Sequence, residues 1–147
     1  MINEKYYDGF EGEVEVLFYY YDNKGNQNGF RIWQGYFETL LSGCFLAEPL
    51  NTGLLKSYIT QEGFYEEKPW RVLDNKTVIN ELSQFSTSNL EIESLDMIRE
   101  VEELKNDLVE VVNEAIKNQY QVLVDYDWSL IAMYELEKTY RIMWISG

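Results

Sequence analysis

Residues 94–117 read SLDMIREVEELKNDLVEVVNEAIK, and Met97, Val101, Leu104, Leu108, Val111 and Ala115 recur in them at alternating spacings of four and three. On a helix of about 3.6 residues per turn such positions share one stripe, so the stretch predicts an amphipathic helix with a single face to bury. Its exposed side carries Glu100, Glu103, Asp107, Glu110 and Glu114 against few cations. A coiled coil uses the same spacing, but the chain on either side reads as globular, which favours a helix laid across a sheet.

Strands supply that sheet. Residues 11–21, EGEVEVLFYYY, alternate so that Val14, Val16, Phe18 and Tyr20 face one way and Glu13, Glu15, Leu17 and Tyr19 the other. A cluster of turn formers from Asp22 to Gly29 follows, and Phe30-Arg31-Ile32-Trp33 returns as the second arm of a hairpin. Past the long helix, residues 121–126, 130–134 and 139–145 read as three further strands. Shorter helices are expected over 35–46 with a stop at Gly43, over 53–59, and over 76–85 behind a cap at Asp74 or Asn75. Strands at both ends with helices between them predict an α+β fold. The expected form is a single domain over 1–147, with a largely antiparallel sheet and the helices, including the one near 94–117, packed on it.

The composition narrows function by exclusion. The chain has 26 Asp plus Glu against 12 Lys plus Arg, a net charge of -14 over 147 residues, and no histidine. Loss of the commonest general base and metal ligand removes most hydrolase and metalloenzyme constellations. Cys44 is the single cysteine, so neither an internal disulfide nor a cysteine zinc site forms. No phosphate-binding glycine loop and no Gly-x-Ser-x-Gly element occurs. No apolar run approaches the roughly 18 residues of a membrane span, and the N-terminus does not read as a signal peptide, so a cytoplasmic protein is expected. The expectation is therefore a binding protein rather than an enzyme, with no cofactor and no metal. Its field repels nucleic acid and anionic membrane and attracts basic proteins. A monomer or a weak homodimer is expected.

Three places combine acid with aromatic rings. On the first strand Glu11, Glu13 and Glu15 are expected to project together, with Tyr19 and Tyr21 further along. The stretch between helices holds Glu62, Tyr65, Glu66, Glu67 and Trp70, and a corner after the long helix holds Asp125, Asp127 and Trp128. Tyr and Trp dominate interface hot spots because they bury large areas with few rotamers and keep a polar tip. Each place also has a plain structural account, as a solvated strand edge, as ordinary sheet-forming aromatics, or as a solvated turn.

In whole-chain organisation the sequence resembles the small acidic immunity proteins that bacteria encode beside polymorphic or contact-dependent growth-inhibition toxins. The resemblance is carried by the aromatic strand from Leu17 to Tyr21, by Trp33-Gln34-Gly35-Tyr36-Phe37, by the stretch from Glu62 to Trp70, and by the ending Arg141-Ile142-Met143-Trp144. It implies a protein that binds a toxin domain, often a basic nuclease, and blocks its active site or an adjacent surface without catalysing a reaction. Two other classes fit the composition. One is a nucleic-acid mimic directed at a host or phage enzyme, which requires a continuous carboxylate band. The other is a small carboxylate-based enzyme or ligand-binding domain, which requires a deep pocket.

Overall fold

The computed structural model describes residues 1–44, 49, 53–56, 70–71, 74–90 and 94–127, with Trp70, Arg71, Tyr126 and Asp127 placed by their backbone. In chain order the elements are β1 (Ile2–Tyr6), β2 (Glu15–Tyr21), β3 (Gln27–Trp33), α1 (Gln34–Ser42), β4 (Trp70–Arg71), α2 (Asn75–Ser83), a 3₁₀ turn (Thr87–Asn89), α3 (Leu95–Asn118) and β5 (Val122–Asp127). The strands form one mixed sheet in the order β1-β3-β2-β5-β4. Pairs β2–β3, β2–β5 and β4–β5 are antiparallel, and β1 joins β3 in parallel. The α+β architecture and the hairpin stand as expected. The parallel edge strand β1 is an addition, because its polar run of Asn3, Glu4 and Lys5 lacks the alternation that marks a half-buried strand. The second and third C-terminal strands and the helix over 53–59 fall wholly or mainly outside the described residues.

The long helix forms for the reasons its pattern gives. Ser94 caps its first turn by accepting from the Met97 N–H, Asp96 lies at its positive end and Lys117 at its negative end. It stops where Gln119 turns left-handed at φ 61° and the Tyr120 N–H closes on the Ala115 carbonyl at 2.8 Å. Val101, Leu104, Leu108, Val112 and Ala115 are buried against one core with Val16, Phe18, Ile32, Phe37, Leu40, Leu82, Val122 and Val124. Full burial of each leucine there contributes about 1.5–3 kcal/mol, which exceeds the small propensity gain of the exposed turns.

Two close approaches decide local geometry. At Gly29, where β3 meets both β1 and β2, a Cβ would stand 2.0 Å from the Phe18 carbonyl oxygen and 2.7 Å from the Tyr19 Cα. At Gly53 a Cβ would strike the Glu81 carboxylate at 2.2 Å. Glu81 itself is 1% exposed, and its oxygens accept from the backbone N–H groups of Leu54 (2.6 Å) and Leu55 (3.0 Å). The carboxylate of α2 thus holds the start of a distant segment by two charge-assisted bonds.

Two stability outcomes follow. Gly29→Ala should cost about 3 kcal/mol or more, read by urea unfolding, because the clash is with backbone and no side chain can yield. A loss below about 1 kcal/mol would show that the strands can part there. Glu81→Gln exchanges one acceptor for a donor and should cost about 1–3 kcal/mol. Burial holds the Glu81 carboxyl above its ordinary range, against the two N–H bonds that lower it. The folded state therefore binds the proton more tightly, and wild-type stability falls relative to the Gln variant as pH rises from the ordinary carboxylate range through the raised value. Parallel pH curves for the two proteins would contradict this.

Candidate partner-binding surface

Five of the six buried residues of α3 are preceded by an acid: Glu100 before Val101, Glu103 before Leu104, Asp107 before Leu108, Glu110 before Val111 and Glu114 before Ala115, the exception being Val112. One residue back is a rotation of about 100°, so docking the apolar stripe aligns all five carboxylates on one flank. At a rise of about 1.5 Å per residue the row extends roughly 21 Å. Glu103, Glu110 and Glu114 are exposed, and Glu100 and Asp107 are half-buried.

The row passes three tyrosines of other elements. Burial first, and Glu100 second, raise the Tyr36 phenol above its ordinary pKa; burial and then Asp107 do so at Tyr6, and burial and then Glu114 at Tyr20. These phenols stay protonated and neutral, so the row supplies its negative charge through carboxylates alone. Tyr6 is 1% exposed and donates its hydroxyl to Asp107 at 2.5 Å, joining β1 to α3. Lys5 bridges Asp107 (2.8 Å) and Glu103 (3.3 Å), and the Asp107 bond is the main reason its pKa is raised. Among the described residues these are the row's only ion pairs. Five carboxylates and one bridging lysine leave a strongly negative strip.

The outer edge of β1, beside this strip, closes on itself. The Lys5 N–H is held by the Asn3 side chain at 3.0 Å, and the Glu4 carbonyl accepts from both Tyr7 and Asp8. Backbone groups engaged locally in this way make that edge a poor template for strand addition.

The residues expected to make contact are distributed differently. Glu11 and Glu13 lie in the turn before β2, which begins at Glu15, so the three acids do not share a strand face. The positive φ of Gly12, 93°, breaks the extended run that the alternation suggested. Glu15 is 17% exposed in its side chain and lies 2.9 Å from Arg31 Nε, while Arg31 also pairs with Glu4. Tyr19 is 2% exposed, so the folded chain itself covers it, and Tyr21 beside it is 47% exposed. Asp125 and Asp127 belong to β5 rather than to a turn, with Asp127 in register with Glu15 and Asp125 with Leu17. The pairing of β2 with β5 thus brings Glu15, Tyr19 and Tyr21 into one sheet beside Asp125 and Asp127, which the sequence placed at separate sites. Trp70 is in β4 opposite Val124 and not in a loop. Glu62, Tyr65, Glu66, Glu67 and Trp128 lie outside the described residues.

No described residues form a metal-binding group of three or more acids and cysteines, and no described helix is long and apolar enough to cross a membrane. Burial lifts the Cys44 thiol to about 12, so it is no nucleophile at neutral pH. Comparison with family models, with curated proteins and with solved structures finds no match to this chain.

Neighbouring like charges at helical spacings of three and four each cost about 0.2–0.5 kcal/mol. The double variant Glu110→Gln with Glu114→Gln should therefore leave stability unchanged or raise it by several tenths of a kcal/mol in urea titration. A loss above about 1 kcal/mol would instead make these acids structural.

Proposed function

We propose that this protein is an immunity-type inhibitor that binds a basic toxin domain and neutralises it through the acidic flank of α3. One observation carries the reading: five aligned carboxylates of which three, Glu100, Glu110 and Glu114, have no ion pair among the described residues, while a single lysine serves the other two. Their mutual repulsion is relieved when a cationic surface docks, so the strip favours the complex over the free chain. The whole-chain resemblance to bacterial immunity proteins supports the same partner class, a nuclease being the usual bearer of a basic surface. The interrupting Lys5 and the half-buried tyrosines make the strip a mixed surface, which favours a protein partner over mimicry of an uninterrupted nucleic-acid backbone.

The partner to test is the basic domain of a secreted toxin encoded next to this chain's gene. Stopped-flow mixing should show an association rate that falls steeply between low and high salt, and the Glu110→Gln, Glu114→Gln variant should associate about tenfold more slowly at low salt. Co-expression should protect cells from that toxin, and protection should weaken with the variant. A salt-independent rate, or full-speed association by the variant, would remove the α3 flank from the interface.

A further inference from the structure

Where β3 passes into α1, Phe10, Trp33 and Tyr36 make one aromatic cluster. The Phe10 and Trp33 rings stack with centroids 4.1 Å apart and planes 5° from parallel, and Tyr36 stands edge-on to them at 5.4 and 5.1 Å. Tyr36 packs on the core, yet all three residues stay partly exposed. The turn that carries Phe10 is tied by its own bonds. The Phe10 N–H donates to the Tyr7 carbonyl, the Glu13 N–H to the Phe10 carbonyl, and the Tyr7 hydroxyl to the Glu13 carbonyl at 2.7 Å. The rings are therefore held in place before any partner arrives, which lowers the ordering cost of a contact.

The chain gives up helix stability for this arrangement. Trp33 occupies the N-cap position of α1, where its side chain makes no capping bond and Ser, Thr, Asp or Asn would make one. Gly35, in the first turn, is a poor helix residue, and a Cβ there would run into the six-membered ring of the Trp33 indole. Serine and alanine at these two positions would build a better helix and would lose the indole or push it aside. Local choices that work against their own element mark a surface kept for another purpose.

The surroundings say what that surface fits. α1 packs on α3, and Glu100, the first acid of the α3 row, acts on the Tyr36 phenol. The Phe10 turn carries exposed Asp8, Glu11 and Glu13, which have no ion pair among the described residues. Ring faces beside such carboxylates suit lysine or arginine, whose apolar stem lies on the rings while the cationic head meets the acids. A second copy of the chain fits poorly, because each copy would bring the same acids to the other. We propose that Phe10, Trp33 and Tyr36 are the aromatic anchor of the partner surface, continuous with the α3 row and receiving lysine or arginine side chains of a basic protein. This inference rests on the basic-partner reading: the α3 acids steer the partner in, and the rings hold it.

The full chain and three variants are mixed with the basic toxin domain encoded beside the gene, association and dissociation rates are measured separately, and stability is read by urea titration. Trp33→Ser, which removes the indole and supplies a capping oxygen, should speed dissociation about tenfold or more and leave the salt dependence of association as in the wild type. Gly35→Ala, whose methyl displaces the indole, should speed dissociation severalfold with the urea midpoint unchanged or raised. Trp33→Phe, which keeps a stacking ring, should stay close to wild type. Lower urea midpoints with wild-type dissociation in Trp33→Ser and Gly35→Ala would make the cluster structural and overturn the anchor, leaving the acidic flank in place. Fast dissociation of both variants with salt-independent association would keep the anchor and remove the flank. A toxin domain that does not bind overturns both. A dimer of the chain alone in sedimentation, lost in Trp33→Ser, would assign the rings to a second copy and overturn the anchor.

Discussion

The apolar stripe of α3 has one place to go, and most of the molecule is arranged by putting it there. Val101, Leu104, Leu108 and Ala115 reach the sheet only if the helix is rotated to a single angle. That rotation fixes the flank on which Glu100, Glu103, Asp107, Glu110 and Glu114 emerge, since each precedes a core or near-core position by one residue. Packing and surface charge are therefore one constraint. The helix cannot bury its leucines without also aligning its acids.

The sheet answers that constraint from below. β2 lies inside, between β3 and β5, and its inward residues Val16 and Phe18 meet the helices. β1 adds the parallel edge that carries Lys5 and Tyr6 to the helix flank, where they tie Asp107 and Glu103 down, while Glu110 and Glu114 have no ion pair among the described residues. Gly29 allows β1, β3 and β2 to pass close to one another, because any side chain there would meet the Phe18 carbonyl. The placement of the acidic flank thus depends on a backbone approach in β3, far from α3 in the chain's order.

Periodicity made the large elements legible. The alternation of Val14, Val16 and Phe18, the turn formers after Asp22, the three-four spacing from Met97 onward and the cap at Asp74 each encode a local preference that tertiary packing reinforced. β1 was illegible for a physical reason: its polar residues gain their strand state from pairing with β3 and from contacts with α3, neither of which leaves a local pattern. Contact sites were read less well. Alternation suggested that Glu11, Glu13 and Glu15 were equivalent, whereas Glu11 and Glu13 lie in a turn around the positive-φ Gly12, ahead of the strand that starts at Glu15, and Arg31 engages Glu15. Charge on the long helix was visible, yet composition is blind to what stands opposite it.

By itself the sequence determined the α+β class, the limits and buried face of the long helix, the hairpin, and the acidity of the surface, because these follow from side-chain periodicity and composition within a window of neighbours. Tertiary structure alone decided that the hairpin would receive a parallel partner, that Tyr19 would be buried while Tyr21 stayed half-exposed, that Glu81 would grip Leu54 and Leu55, and that Asn75 would keep a buried oxygen without a donor. Those outcomes belong to pairs of residues tens of positions apart. Their energies exist only once the chain has brought the pairs within hydrogen-bond distance, so no local pattern records them.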